Sequence, residues 1–163
     1  MPKIVDHETH RREIAQRAAK FFSDHGYAGT SMRKVAEFLG LSKSALYHYF
    51  PTKKDLFIAC TKEVMANLDT EIVDPNQTDT ENLERLKAVL RPDFATEMAL
   101  TFDYLRGKSP SEIATDEAMQ VALETYLGVV ATIVGEQWAE EYLARLLGDL
   151  MLEYMSGKGR QAP

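Results

Sequence analysis

Apolar positions recur along the chain at the i, i+3, i+4 and i+7 spacing of amphipathic helices, and the pattern predicts an all-α protein. From Glu8 to His25, Ile14, Ala18, Phe21 and Phe22 fall on one side, and Gly26 marks the end. A second stripe of Met32, Val35, Ala36 and Leu39 follows, with Thr30 or Ser31 placed to cap it. Gly40 stops that helix, Leu41 plugs the corner, and Ser42 caps a third, short helix from Lys43 to Tyr49. Leu46 and Phe50, four apart, are its anchors. Pro51 ends it, and a longer helix from Lys53 to Ile72 carries Phe57, Cys60, Val64, Leu68 and Ile72 along one side. The spacing places the domain boundary there, giving residues 1–52 and 53–163.

The second part opens on a loop at Asp74 to Glu81, which contains no apolar residue. Helices follow at Thr80 to Leu90 and Asp93 to Leu105, split at Pro92, and Gly107 to Ser109 ends the pair. Ser109-Pro110-Ser111-Glu112 has the form of a capping box with proline at the first helical position. Two stripes close the chain: Met119, Leu123, Tyr126, Leu127, Val130, Ile133 and Val134, then Leu143, Leu146, Leu147, Leu150, Met151 and Tyr154. Between Tyr126 and Val134 the helix is apolar nearly all round, so it asks for cover on both sides. A two-fold partner supplies that cover, which makes Leu127, Val130, Val134, Leu143, Leu147, Leu150, Met151 and Tyr154 the expected homodimer interface.

The segment from Thr30 to Asp55 has the organisation of a helix-turn-helix reader of double-stranded DNA. The third helix turns Lys43, Ser44, Tyr47 and His48 outward, residue types that reach phosphate oxygens and base edges in a major groove. Lys53 and Lys54 open the next helix, whose N-terminal amides suit a phosphate. Charge is divided in the same sense. Residues 1–62 carry eleven Lys and Arg against six Asp and Glu, whereas residues 63–163 carry eight against nineteen. The basic head turns toward a polyanion and the acidic body away from it. Lys3, Arg11, Arg12 and Arg17, in or just before the first helix, are further candidates for phosphate contact, the alternative being a solvated helix face.

The stretch AAKFFSDHGYAGTSMRKVAEFLGLSKSALYHYFPTKKDLF, Ala18 to Phe57, resembles the tetracycline-repressor-like (TetR/AcrR) transcriptional regulators. An aromatic pair before a glycine, a Thr-rich helix start, a Tyr-rich recognition helix and a Lys-Asp-Leu helix start all occur at the family's spacing, and the likeness covers roughly residues 8 to 65. The resemblance implies a homodimer with three N-terminal DNA-binding helices and a C-terminal domain that dimerises and often senses a small molecule. It assigns phosphate contacts to Thr30 or Ser31, Tyr47, Tyr49 and Lys53, and base contacts to Lys43, Ser44, Ala45 and His48. Met32 departs from the polar residue sometimes found at its position. A repressor released from a pseudo-palindromic operator by an effector follows, with Phe94, Met98, Phe102, Tyr104, Met119, Tyr126 and Trp138 as candidate pocket lining. The alternative is a helical protein-interaction module that uses the acidic body and has no effector pocket.

Other classes find little support. One cysteine excludes an internal disulfide, and Cys60 reads as a small core residue. His7 and His10 lie three apart without a carboxylate or thiol cluster of ligand spacing, so no metal and no cofactor are expected. No phosphate loop, nucleophile elbow or Glu-x-x-His pair points to catalysis. The polar N-terminus does not read as a signal peptide, no apolar run of membrane-spanning length is expected, and the cytoplasm is the expected location.

Overall fold

The computed structural model describes residues 3–68 and 72–158, and among these it is all-helical. The helices are α1 (Lys3–His25), α2 (Met32–Leu39), α3 (Lys43–Tyr49), α4 (Lys53–Ala66), α5 (Asp79–Leu90), α6 (Phe94–Leu105), α7 (Pro110–Ala114), α8 (Glu117–Val134) and α9 (Glu136–Met155). They gather into two compact units, Met1–Leu68 with Ala99–Ala122, and Asp69–Met98 with Leu123–Pro163. The boundary read from the sequence, at residue 53, falls inside the first unit at the start of α4.

In the first unit α1 packs on α2 and α4, and α2 on α3. Its core takes Ile14, Ala18, Phe21 and Phe22 from α1, the stripe of Met32, Val35, Ala36 and Leu39 from α2, Leu46 and Phe50 around α3, and Leu56, Phe57 and Cys60 from α4. Tyr104 and Ala118 complete it. Phe57 is the meeting point: Phe22 presents an edge to it at 5.3 Å, Tyr27 an edge at 5.0 Å, and Tyr104 stacks on it at 4.2 Å. These are the offset and edge-to-face geometries that the ring quadrupole favours. Burial pushes the Cys60 thiol up, so it stays protonated and acts as the small core residue its spacing implies.

One carboxylate organises the polar side of this unit. Asp116 is buried yet fully engaged: it accepts from the Tyr104 hydroxyl at 2.8 Å and the Lys108 ammonium at 3.1 Å, and Lys54 stands 3.7 Å away. It also accepts from the amides of Ala118 and Met119, capping α8. Burial by itself would raise its pKa, but the bonds from Tyr104, Lys108 and Met119 outweigh burial and hold it below the ordinary carboxylate value.

In the second unit α5 packs on α9. Its N-terminus forms a capping box between Thr78 and Glu81, and the buried Asn82 holds the preceding loop through both backbone groups of Asp74. Lys87 reaches Asp149, and Arg91 grips Glu153 through two nitrogens. The Ser109–Glu112 capping box expected from the sequence is present at α7.

Three expectations are corrected. The helix expected to reach Ile72 ends at Ala66, because Asn67 takes the cap; Val64 is 39% exposed, and Ile72 is buried in the second unit rather than on α4's apolar side. Helix α1 begins at Lys3, earlier than Glu8. Helix α8, at 18 residues with mean hydropathy 1.3, is long and apolar enough to cross a membrane by length and composition, contrary to the expectation of no such run. Only Glu117 and Glu124 are charged in it, and Ala118 near its start packs in the first unit's core.

Tyr104→Phe should destabilise the protein by about 1–3 kcal/mol at neutral pH, since a buried carboxylate loses a donor. Asp116 has a folded pKa below its unfolded one, so its contribution is present above that unfolded value and is lost as the pH falls through the folded one. Urea unfolding of both proteins across acid pH checks this: the gap between them should close on acidification.

Candidate nucleic-acid interface

Helix α3 has seven residues and cannot persist in water by itself, so its geometry is set by its ends and its buried side. Gly40 closes α2 in the left-handed region at φ 71°, where the chain turns toward α3. The Ser42 hydroxyl accepts from the Ala45 amide at 3.1 Å and caps α3. Leu46 and Phe50 are wholly buried, and the Arg11 guanidinium lies 4.7 Å from the centre of the Phe50 ring.

The opposite face is the exposed one expected from the sequence. Lys43, Ser44, Tyr47 and His48 are all exposed, and Ala45 is half-buried. The Lys43 ammonium sits 5.7 Å from the Tyr47 ring, so the two side chains share one edge of the helix. Ser31 caps α2 by accepting from the Lys34 amide and remains exposed. Arg33 and Lys34 are exposed beside it on α2, cations that the sequence reading left out; their signal was their place outside the Met32, Val35, Ala36 and Leu39 stripe.

Other expected contacts are spent inside the protein. Thr30 is buried and donates its hydroxyl to the Gly26 carbonyl at 2.7 Å, which leaves Ser31 as the exposed member of the pair. Lys53 turns inward over the Tyr27 ring and donates to the carbonyls of Tyr27 at 2.9 Å and Thr30 at 3.0 Å. Burial lowers its pKa, and the nearby Asp103 carboxylate partly offsets this. The α4 N-terminus, expected to take a phosphate, already holds an anion, because Asp55 and Thr52 close a capping box there. Arg12 is bound to Glu63 at 3.0 Å, while Arg17 is exposed. The side chain of Lys3 lies outside the described residues.

Asp103 secures the turn between α1 and α2. Its carboxylate accepts from the amides of Tyr27 and Ala28, each at 2.8 Å, and these bonds hold its pKa below the ordinary range. Gly26 stands at φ 77°, and a Cβ there would lie 3.0 Å from the carboxylate oxygen. The left-handed backbone favours glycine, and any side chain would also have to push the Asp103 carboxylate aside.

The profile described as "Bacterial regulatory proteins, tetR family" matches residues 10–60, the segment that contains α2, α3 and their supports. Residues 10–60 carry the tetR-family pattern. Among curated proteins this chain is 36% identical over 78 residues to the HTH-type transcriptional repressor AcnR of Corynebacterium diphtheriae, covering 47% of this chain and 40% of that one. It is 34% identical over 90 residues to the HTH-type transcriptional regulator PksA of Bacillus subtilis, covering 55% and 44%. The chain thus spans less than half the length of these curated relatives. A crystal structure of a possible TetR family transcriptional regulator from Streptomyces coelicolor A3(2) matches with a TM-score of 0.53 at 16% identity, over 86% of this chain and 69% of that one, a likeness of fold.

The residues named for an effector pocket are scattered. Phe94 and Tyr104 are buried, Tyr104 as part of the first unit's core; Met98, Met119 and Tyr126 are half-buried; Phe102 is 62% exposed and Trp138 51%. Trp138 alone of the seven borders the cleft of about 310 Å³ on the second unit, with Asp79, Val134, Glu141, Tyr142 and Arg145. Of the residues named for a dimer interface, Val130, Leu143 and Leu150 are already buried in the single chain, where a partner would find nothing to cover. Leu127, Val134, Leu147 and Met151 are half-buried and Tyr154 is exposed. Leu123, Leu152 and Met155, outside the expected interface set, are the more open apolar side chains at 55%, 67% and 74%.

Lys53→Met should lower stability by about 1–3 kcal/mol, because two loop carbonyls lose a charged donor. The dependence of DNA affinity on salt should stay unchanged, since an ammonium spent inside the protein releases no counterion on binding. Denaturant unfolding, with binding titrations at several salt concentrations, reads both.

Proposed function

We propose that this protein is a transcription regulator that binds a pseudo-palindromic operator as a homodimer and acts as a repressor. The observation that carries the reading is the α3 face, where Lys43, Ser44, Tyr47 and His48 stand exposed on a helix fixed by the buried Leu46 and Phe50. A lysine at position 43 can donate to guanine O6 and N7, Ser44 to either base edge, and the Ala45 methyl can meet a thymine methyl. Tyr47 and Ser31 supply neutral donors to phosphate oxygens. A helix of seven residues covers few base pairs, so a specific site calls for two copies. The half-buried and exposed side chains of Leu127, Leu147, Met151 and Tyr154 offer the second copy an apolar surface, joined by Leu123 and Leu152.

Release by a small-molecule effector belongs to the same reading. The open cleft beside Trp138 and Tyr142 is of a size that takes a small ligand, and its wall holds the Arg145 guanidinium paired with the Glu141 carboxylate at 2.6 Å. An effector acts only by binding the DNA-free state better, and a tenfold loss of operator affinity needs about 1.4 kcal/mol of such preference. A regulator of this kind works in the cytoplasm, where its DNA lies.

Fluorescence anisotropy against pooled genomic fragments tests the reading. Wild type should select a pseudo-palindromic fragment with steep salt dependence. Tyr47→Ala should weaken binding to all DNA, and Lys43→Ala should mainly relax sequence preference, by about 1–3 kcal/mol of discrimination. Equal proportional losses of specific and non-specific affinity in both variants would overturn the assignment. Sedimentation of wild type should give a dimer, and Leu147→Glu a monomer; a monomeric wild type removes the two-copy reading.

A further inference from the structure

Three of the four histidines in the chain meet at one place. His7 and His10, one turn apart on α1, both pack on Tyr49 of α3, with ring centres 4.8 Å and 5.4 Å away. His48 lies edge-on to His7 at 5.8 Å and edge-on to Tyr49 at 5.5 Å. His7 and His48 are exposed and His10 is half-open, so the group is a surface cluster, continuous through His48 with the outward face of α3.

We propose that this imidazole cluster is a proton-dependent extension of the DNA-contact surface, in which His7 and His10 carry the interface from α3 onto the first turns of α1 and take up protons when DNA binds. The proposal rests on the DNA-binding reading above. An imidazole changes charge between about pH 5 and 8, and a phosphate beside it favours the charged form. The carboxylates facing the cluster come from α1: Glu8 is 4.0 Å from His7, Glu13 is 3.5 Å from His10, and Asp6 is one residue before His7. Arg11, the cation of the same stretch, is turned over Phe50. From α3 the facing groups are His48 and the Tyr49 phenol. On α4, Glu63 is taken up by Arg12 and Gln16. Glu8 and Glu13 are thus the resting partners of any imidazolium in the free protein, and DNA phosphates compete with them for it.

The consequence is a coupling of DNA affinity to pH beyond what His48 on α3 produces alone. Each imidazole that takes up a whole proton on binding raises affinity about tenfold for each unit of acidification. Anisotropy titrations with a mixed-sequence DNA duplex, at pH 8 and pH 6 and constant ionic strength, read the effect. Wild type should tighten about tenfold or more on acidification, the His7→Gln/His10→Gln protein should lose most of that gain, and His25→Gln, outside the cluster, should keep it. An unchanged pH response in the double variant overturns the proposal and leaves the DNA-binding reading standing. Absence of DNA binding by wild type at either pH overturns both. Should the double variant lose its helical signal, calorimetry of wild type in two buffers of different ionisation heat decides: uptake of more than one proton per protomer, beyond what His48 alone can accept, supports the cluster, and one or fewer overturns it.

Discussion

A helix of seven residues has no stability of its own, and the exposed face of Lys43, Ser44, Tyr47 and His48 is carried by one. The constraint is met from below. Leu46 and Phe50 are sunk into a core made chiefly by α1, α2 and α4, and the position of the outward side chains follows from that burial. Ser42 and Gly40 then set where the helix starts and how the chain enters it. Because the anchors are on one side and the polar residues on the other, the packing leaves a surface of Lys43, Ser44, Tyr47 and His48 with little freedom in where it points.

Most of that arrangement was legible in the residues. The stripe of Met32, Val35, Ala36 and Leu39 is a short-range pattern, and caps such as Ser42, Thr52, Thr78 and Ser109 act within three residues, so both survive translation into structure. What could not be read is where long side chains go. Lys53 looks like a phosphate contact because it opens a helix, yet two carbonyls and a tyrosine ring twenty-odd residues earlier capture it. Thr30 and Ser31 are equivalent as letters, and only the fold buries one and exposes the other. Periodicity also overran the end of α4, since Leu68 and Ile72 keep the four-residue spacing after the helix has stopped at Ala66.

The charge partition has a related lesson. The basic surplus of the first 62 residues is real, but part of it is engaged internally: Arg12 is paired with Glu63 and Lys54 with Asp116, and Lys53 is held by backbone carbonyls. The exposed cations on α2 and α3, Arg33, Lys34 and Lys43, are fewer than the composition promises, and Arg33 also leans on Glu37 at 3.5 Å while Lys34 reaches the Gly29 carbonyl at 3.4 Å. A small number of unspent charges makes neutral donors such as Ser31, Ser44 and Tyr47 a larger share of the surface, and a surface of that kind depends more on shape than on attraction.

The core that supports α3 does not end with α4. Tyr104 stacks on Phe57, Asp103 ties down the amides of Tyr27 and Ala28, and Asp116 gathers Tyr104, Lys108 and Lys54. Truncation at residue 68, the natural cut for anyone wanting a minimal DNA-binding fragment, would strip one face of Phe57 and release the α1–α2 turn. The smallest piece that keeps the supports of α3 intact is discontinuous in sequence, and it reaches at least to Ala118.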